Sequence, residues 1–318
     1  MNSQTSAIAS GALALVVGCS YTPTPLAPTL LGPVGAPGHG ALSGSLELPR
    51  VGPGFRWLNP AGHHYGVPRL VNAVAMAAAE VERERPGGAP LVVGDLSKRF
   101  GGQIAGHRSH RTGRDVDLLF YAESPAGEPV ASPGFFKFGP DGLAFVPPDR
   151  AGPKFVRLDV AREWLLVKAL LTLPEANVQW MFISTPLEAL ITEYARARGE
   201  DLELIWHAET VMLQPADSLP HDDHLHLRTA CTPEEVVLGC EGGGPYWPWL
   251  PAFPSDAPDE SDDALLVALL APIQTESEDA KATYVELPSN DESARGLAAQ
   301  PQVDKPRVLP ARVPVRGN

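Results

Sequence analysis

The feature that most constrains this chain is a glycine-flanked turn that leads into a strand of alternating character. Residues 106–121 read GHRSHRTGRDVDLLFY, and the second half predicts a β-strand. Asp115 and Asp117 would share one face of that strand, opposite an apolar face. Two carboxylates on one face are costly unless that face is wet or holds a cation. Six residues separate His110 from Asp117, so the turn can fold the imidazole back over the strand.

A second stretch complements the first. Residues 221–228 read HDDHLHLR, and the alternation places His224, His226 and Arg228 on one face of a predicted strand. Imidazoles two positions apart project side by side, so both can approach one metal ion or one bound water. Two histidines and one aspartate with an open fourth position are typical of a catalytic zinc site rather than a structural one.

The two motifs together resemble a known family. His-x6-Asp followed later by His-x-His is similar to the LAS-type zinc peptidases, and the strings GHRSHRTGRDVDL and HDDHLHLR resemble the penicillin-insensitive murein endopeptidases of the MepA type. The strings WLNPAGHHYGVPRLV and LVVGDLS extend the resemblance, which runs with gaps from about Leu48 to Cys240. It implies an α+β fold of the LAS-peptidase or Hedgehog-like kind. In that fold a small antiparallel sheet carries the zinc ligands and helices pack on its far side.

The resemblance also implies roles for individual residues. It makes His110, Asp117 and His226 the ligands of Zn²⁺. His224 would hold the attacking water as general base and pass its proton to the departing amine. His221 would orient His224 or stabilise the oxyanion.

Two further residues beside the motif keep alternative interpretations. His107 would face the substrate, or it would hydrogen-bond a metal ligand without binding the metal itself. It could also help to bind a second metal, as described for some members of the family. The extra histidine of such a second site is missing between His110 and His207, and Asp159 is the candidate carboxylate. Asp115 would anchor the motif turn or a ligand imidazole, help to bind a second metal, or be a plain surface carboxylate.

Other segments are candidates for the walls of the groove. Residues 122–156 form a long Pro/Gly-rich excursion with three phenylalanines, and we expect it to wall one side of the site. His63, His64 and Tyr65 would line the groove or pack their own loop. Ser109 lacks the surroundings of an activated nucleophile, which disfavours a serine mechanism.

The periodic segments between the motifs predict a series of alternating elements. Helices are expected over Pro68–Arg85, Val160–Leu171 and Pro186–Ala197, and strands over Leu91–Leu96 and Val178–Ser184. Residues 202–205 and 210–213 are expected to be short apolar pieces.

The ends of the chain differ in composition from its middle. Residues 1–18 resemble a lipoprotein signal peptide, and Cys19 would become the lipidated N-terminus after cleavage. Cleavage at an ordinary small-residue site, which would give a soluble periplasmic protein, is the alternative. Residues 19–47 are predicted to be a Pro/Gly-rich tether, residues 48–250 the zinc endopeptidase domain, and residues 251–318 a disordered acidic and Pro-rich tail.

The formal net charge of −13 is unevenly distributed. Residues 255–293 hold eleven acidic residues and one lysine, so the tail could recruit a protein partner. No basic cluster is present, which argues against a nucleic acid partner.

Cys231 and Cys240 flank a short loop directly after the second motif. The family resemblance and the expected export predict a disulfide between them. Two free buried thiols or a second zinc site are the alternatives.

The resemblance implies zinc-dependent hydrolysis of the peptide cross-links of peptidoglycan, most specifically D-alanyl-meso-diaminopimelate, in the periplasm. Contact with the membrane would be only through a lipid on Cys19. A DD- or LD-carboxypeptidase on the same scaffold is one alternative, with Arg108, Arg111 and Arg114 as candidates to hold a terminal carboxylate. A non-catalytic lipoprotein that binds the cell wall is the other.

Overall fold

The computed structural model describes residues 31–132, 134–146, 153–242 and 244–252, and these form a mixed α+β fold. The helices are α1 (Pro68–Glu84), α2 (Val160–Thr172), α3 (Thr185–Ala197), α4 (Leu202–Val211) and α5 (Pro233–Val237), with one 3₁₀ turn at Pro174–Ala176. The strands are β1 (Gly32–Ala36), β2 (His39–Ser43), β3 (Leu46–Glu47), β4 (Val51–Gly52), β5 (Phe55–Trp57), β6 (Tyr65–Gly66), β7 (Leu91–Val93), β8 (Asp115–Leu119), β9 (Ala122–Glu123), β10 (Pro129–Val130), β11 (Leu143–Phe145), β12 (Phe155–Leu158), β13 (Val178–Phe182), β14 (Met212–Leu213) and β15 (Leu225–Thr229).

The two motif strands lie side by side in a seven-stranded sheet of order β14-β13-β15-β8-β7-β5-β4. β8 and β15 pair antiparallel, with His226 opposite Asp117 and Arg228 opposite Asp115. The second motif therefore meets the first residue by residue, although more than a hundred positions separate them along the chain.

The expectation of an antiparallel sheet is wrong at two places, because β5 pairs with β7 in parallel and β13 pairs with β14 in parallel. Parallel neighbours need a crossover connection, which is usually helical. α1 lies between β5 and β7 in the chain, and α3 and α4 lie between β13 and β14. Helices thus connect the strands of both parallel pairs, and the sheet is mixed.

The core lies on the apolar face of the motif strands. Val116, Leu118, Leu225 and Leu227 are fully buried, and they join one cluster with the inward faces of the helices. Burying each such side chain contributes about 1.5–3 kcal/mol. The burial of these four side chains confirms the predicted alternation. It also fixes the register of β8 and β15, and with it the polar side chains on their opposite face.

The predicted helices agree with the structure to within one residue at each end, whereas the strand predicted over Leu91–Leu96 ends at Val93 and the one predicted over Val178–Ser184 ends at Phe182. Pro68 opens α1 at a position where its missing N–H costs nothing, and the Asp159 side chain caps α2 by accepting from Arg162 N at 3.0 Å. One difference concerns residues 202–211, where two short pieces were expected and a single helix, α4, is found. Asp201 caps it by accepting from Glu203 N.

The tether expected over residues 19–47 differs from the structure in its second part. β1 and β2 form a hairpin there, and Leu42 packs into the core with 2% of its surface exposed. Gly35 N donates to Gly239 O at 2.7 Å, which joins the hairpin to the segment around Cys240. Proline and glycine, read as an extended tether, serve here as the turn of a folded hairpin.

Two further findings concern export and the chain ends. Cys231 and Cys240 form a disulfide, as predicted, with 6.0 Å between their Cα atoms. Over the described ranges, we find no helix with the length and apolarity that a membrane span requires. The predicted signal peptide, the lipidation of Cys19 and nearly all of the tail, from residue 253 onward, lie outside the described residues.

Candidate metal centre

Asp117 stands at the centre of the site. Its Oδ1 lies 3.0 Å from His226 Nδ1, 3.2 Å from His110 Nε2 and 3.3 Å from His224 Nε2. Only 2% of Asp117 is exposed. Three imidazole nitrogens therefore converge on one oxygen of a buried carboxylate, and these are the residues that the two motifs predict for the site.

The turn before β8 folds His110 back over the strand, as the sequence predicts. Gly106 and Gly113 adopt positive φ angles, and His110 itself has φ 67°, a left-handed conformation that is unusual for a residue with a side chain. Such a conformation persists only where the surroundings enforce it. The Nδ1 of His110 lies 2.6 Å from Leu96 O, and 1% of the residue is exposed.

The partners of the imidazoles determine which nitrogens can bind a cation. A backbone carbonyl can only accept, so His110 Nδ1 carries a hydrogen, and Nε2 offers its lone pair to a metal when the ring is neutral. Asp115 Oδ1 lies 2.9 Å from His226 Nε2, which fixes that nitrogen as the donor and leaves the lone pair on Nδ1. Both free lone pairs face Asp117.

A lone pair and a carboxylate oxygen at this distance attract only when a proton or a cation lies between them. His110 Nε2 and Asp117 Oδ1 are both buried, and neither has a hydrogen-bond partner among the described residues. Orphaned polar atoms of this kind are costly in a protein interior. The donor set of two imidazole nitrogens and one carboxylate therefore fits a metal ion.

The charges around Asp117 keep it ionised, as a ligand must be. Burial acts to raise the pKa of this carboxyl, but the neighbouring charges of His110 and His224 hold the pKa well below its usual range.

Asp115 is fully buried, and its pKa is also lowered. Burial acts to raise the pKa of Asp115, but Arg228 and His226 lower it. Arg228 Nε lies 2.7 Å from Asp115 Oδ1. Asp115 thus anchors an imidazole, and the interpretation as a surface carboxylate is wrong.

His224 is oriented by a residue that the sequence reasoning missed. Asp223 Oδ1 lies 2.6 Å from His224 Nδ1, so the other ring nitrogen points toward Asp117. Burial acts to lower the pKa of His224, but the carboxylates of Asp117 and Asp223 raise it to about 10. A divalent cation beside Asp117 would oppose this rise. The adjacent carboxylate in the motif HDDH was the available signal.

His221 lies beside the other imidazoles in an uncharged form. Its ring centroid is 5.3 Å from that of His224 and 5.9 Å from that of His226. The pKa of His221 is lowered to about 4, mainly by burial and in addition by the charges of His226 and His224. A neutral imidazole at pH 7 can donate one N–H hydrogen bond without adding charge.

His107 contacts the second oxygen of the central carboxylate. Its Nδ1 lies 3.7 Å from Asp117 Oδ2, and its Nε2 lies 3.2 Å from Asp95 Oδ2. Asp95 follows β7, the strand beside β8, and sequence reasoning did not assign it to the site. Asp159, the predicted candidate for a second metal, instead caps α2 and pairs with Arg162 at 3.4 Å.

Two groups of three side chains in the described ranges have possible ligand atoms within 4.8 Å of one another. One group is His107, His110 and Asp117, and the other is His221, His224 and His226. The two groups share the space around Asp117, because His226 and His224 both approach its Oδ1. The site can therefore hold a metal ion at Asp117 with imidazoles on both sides.

The site opens into a groove of about 1040 Å³. The excursion after β8 walls one side, as expected, because Phe135 and Lys137 line the groove and the Phe135 ring lies 5.3 Å from that of His224. Arg108 also lines the groove and donates to Asp217 O at 2.9 Å. The groove is thus bordered by two phenylalanine rings, Phe135 and Phe182, and by three cationic side chains, Arg108, Lys137 and Arg228.

Several other candidates do not reach the groove. His64 stacks on Trp57 with 3.5 Å between ring centroids and is buried. Arg114 is fully buried and donates to the carbonyls of Thr229 and Glu241, so it holds the fold rather than a substrate carboxylate. Of the three arginines proposed for a terminal carboxylate, Arg108 is the one that lines the groove.

Comparison with known proteins gives two matches. Residues 33–132 match the family model for penicillin-insensitive murein endopeptidases. A penicillin-insensitive murein endopeptidase of Klebsiella pneumoniae subsp. pneumoniae is 32% identical over 88 residues, which are 27% of this chain and 31% of that protein. The chain thus matches about a third of the length of this curated relative. The family match includes the first motif and ends before the second. Residues 33–132 are thus similar to the penicillin-insensitive murein endopeptidase family.

Proposed function

We propose that this protein is a zinc-dependent murein endopeptidase that hydrolyses the D-alanyl-meso-diaminopimelate cross-links of peptidoglycan. The observation that carries the proposal is the convergence of three imidazole nitrogens on Asp117 Oδ1 at 3.0–3.3 Å. The family match of residues 33–132 supports the choice of substrate.

His110, Asp117 and His226 would hold the metal through Nε2, a carboxylate oxygen and Nδ1, respectively. Imidazole nitrogen and carboxylate oxygen are the ligands that zinc prefers at catalytic sites with three protein ligands. When bound, zinc would lower the pKa of a water ligand to near 7 and polarise the scissile carbonyl. Leu96 O and Asp115 fix the ring orientation of the two histidines from behind.

His224 is the proposed general base. Asp223 holds its Nδ1, so Nε2 can accept the proton of the attacking water and then deliver it to the departing amine. His221 lies on the same side of the groove and, as a neutral donor, can hydrogen-bond the oxygen on which negative charge develops. The role of His224 depends on Nε2, which is left as the proton acceptor because Asp223 holds Nδ1. The role of His221 depends on the N–H of its neutral ring.

The groove suits a branched peptide with carboxylates. Arg108 and Lys137 line it and can pair with the carboxylates of stem peptides. Phe135 offers an apolar wall above His224. The mixture of apolar and cationic walls therefore matches the chemistry of the proposed substrate.

The proposed setting is the periplasm. A disulfide such as Cys231–Cys240 forms and persists in oxidising compartments. We propose in addition that Cys19 carries a lipid anchor and that the acidic tail, residues 251–318, recruits a protein partner.

The test is a digest of purified, cross-linked peptidoglycan by the full chain. The muropeptides are separated by chromatography and identified by mass spectrometry. We expect dimers to become monomers with metal present, and no change with a chelator or with His226→Ala. Binding to the cell wall without any cleavage would favour the non-catalytic wall-binding protein instead.

A carboxypeptidase on the same scaffold is the second candidate, because Arg108 lines the groove and could hold a terminal carboxylate. In that case the same digest would show monomer stems that lose a terminal D-alanine while the dimers persist. Arg108→Ala would then raise KM for stems with a free terminus.

A further inference from the structure

A row of partly buried aromatic rings runs from the groove toward an exposed tryptophan. It starts at Phe182, whose ring lies 5.4 Å from that of His226, and continues through Trp180 at 6.0 Å from Phe182. Trp247 follows at 5.2 Å from Trp180, and Trp249 at 5.2 Å from Trp247. These four rings, together with Trp206, are called the aromatic row below.

The row ends in a second cavity, which is separate from the groove. Trp206 lies 5.7 Å from Trp249, and both line a depression of about 560 Å³. Trp206 is 59% exposed, a large value for a tryptophan. An exposed indole at the mouth of a cavity is a feature of binding sites rather than of cores.

The rings of the row are held in place by the surrounding chain. Trp247 Nε1 donates to Gln179 O at 2.8 Å. A side chain at Gly244 would come within 2.3 Å of Trp180, so the glycine lets this segment lie against that ring. The row is thus preorganised, which reduces the entropy that a ligand must overcome.

The lining of the cavity contains one imidazole and two carboxyl groups. Within the described residues, Trp249 Nε1 and His207 Nε2 are buried and make no hydrogen bond, and both residues line the cavity. Burial lowers the pKa of His207, so its ring is neutral at pH 7. The carboxyl groups of Asp201 and Glu203 stand at the rim. Carboxyl groups beside indole faces suit a ligand that is rich in hydroxyl groups.

We propose that the aromatic row and its cavity form a saccharide-binding site that holds a glycan strand. The C–H face of a sugar ring packs on the exposed indole of Trp206, and its hydroxyl groups reach the carboxylates of Asp201 and Glu203. A single file of rings suits a linear polymer of ring-shaped units, and the row leads into the groove at Phe182. The proposal rests on the proposed function, since the glycan strand carries the peptides that the groove would cleave.

The site lies outside the segment that matches the family model, which ends at residue 132. The row is built from β13, α4 and residues 247–249. The aromatic row would therefore bind the glycan strand, while the groove binds the peptide.

The experiment titrates the full chain with peptide-free glycan strands, obtained from murein by an amidase, and follows tryptophan fluorescence and calorimetric heat. We expect saturable binding that is about tenfold weaker in Trp206→Ala and partly kept in Trp206→Phe. Leu202→Ala is the matched control, because Leu202 is an exposed residue of the same helix that does not line the cavity. It should bind as wild type does.

Cleavage assays separate this site from the proposed chemistry. On intact murein, Trp206→Ala should raise KM with kcat unchanged, and on sugar-free cross-linked peptides it should match wild type. Glycan binding without any cleavage would defeat the endopeptidase proposal and leave the saccharide site. Wild-type protein that does not bind peptide-free strands, or Trp206→Ala that binds them as tightly, would overturn the saccharide site. If Trp206→Ala failed to fold, Trp206→Phe and Glu203→Gln would decide by the same titration.

Discussion

Asp115 Oδ1 lies 2.9 Å from His226 Nε2 and so directs the other nitrogen of that imidazole at Asp117. Asp115 is fully buried and is also held by Arg228 at 2.7 Å. The three residues form a chain from a cation through a carboxylate to a proposed ligand. The fully buried carboxylate of Asp115 on β8 thus orients a proposed metal ligand.

The first prediction follows from this relationship. Asp115→Asn keeps the shape but removes the charge that fixes the His226 tautomer, so we expect zinc affinity to fall about 10–100-fold. Competition with a chromophoric chelator measures it. Asp223→Asn is the matched control, because Asp223 orients His224 rather than a proposed ligand, and its zinc affinity should equal that of wild type. Equal affinities for all three proteins would refute the role of Asp115.

The second prediction separates the base from the ligands. His224→Ala should retain zinc but lower kcat about 10²–10⁴-fold, because the proton of the attacking water loses its acceptor. Steady-state cleavage of cross-linked muropeptides, together with metal analysis of the same sample, checks both parts. A variant with normal kcat would show that another group takes the proton.

The third prediction concerns stability against pH. Burial raises the pKa of Glu163 from 4.5 to about 8, and its Oε1 has no hydrogen-bond partner in the described structure. Between these values the folded protein keeps a proton that the unfolded chain releases, so stability is present below this window and falls as the pH rises through it. Glu163→Gln should remove this dependence and stabilise the protein at pH 8 by a few kcal/mol.

Denaturant unfolding at pH 5 and pH 8 measures the effect. Glu193→Gln, at an exposed position of α3, should leave the pH dependence of wild type unchanged. If Glu163→Gln also lost stability between pH 5 and pH 8 as wild type does, the buried carboxyl would not be the cause.

The fourth prediction concerns the disulfide. Cys231–Cys240 closes a loop with a sequence separation of 9, and the chain just beyond it pairs with the N-terminal hairpin through Gly35. Replacing both cysteines by serine should lower the free energy of unfolding by about 2–3 kcal/mol. Unfolding in denaturant with and without reductant provides the comparison. A wild-type protein that reductant does not destabilise would contradict the prediction, and the serine variant itself should not respond to reductant.

The core of the site could be predicted from sequence because it depends on local patterns. Alternation placed Asp117 and His226 on polar faces of strands, and the glycines predicted the turn that brings His110 back. Strand pairing then opposes His226 to Asp117, which alternation alone does not specify. The joint occurrence of the two motifs supplied that missing information through the family resemblance.

The rest depends on contacts between segments distant in sequence. Asp95 reaches His107 only because β7 lies next to β8, and no local pattern marks it. The hairpin of residues 32–43 was read as a tether because proline and glycine serve both extended and tightly turned chains. The aromatic row combines three separate segments, so neither a motif nor a periodicity predicts it.

The most direct test of the account is a zinc titration of chelator-treated full chain, with cleavage of cross-linked peptidoglycan as the readout. We expect no cleavage without metal, recovery that saturates as zinc is restored, and no recovery in His226→Ala or Asp117→Ala. Cleavage by the metal-depleted protein, or full activity in either variant, would contradict the claim that these residues hold a catalytic metal.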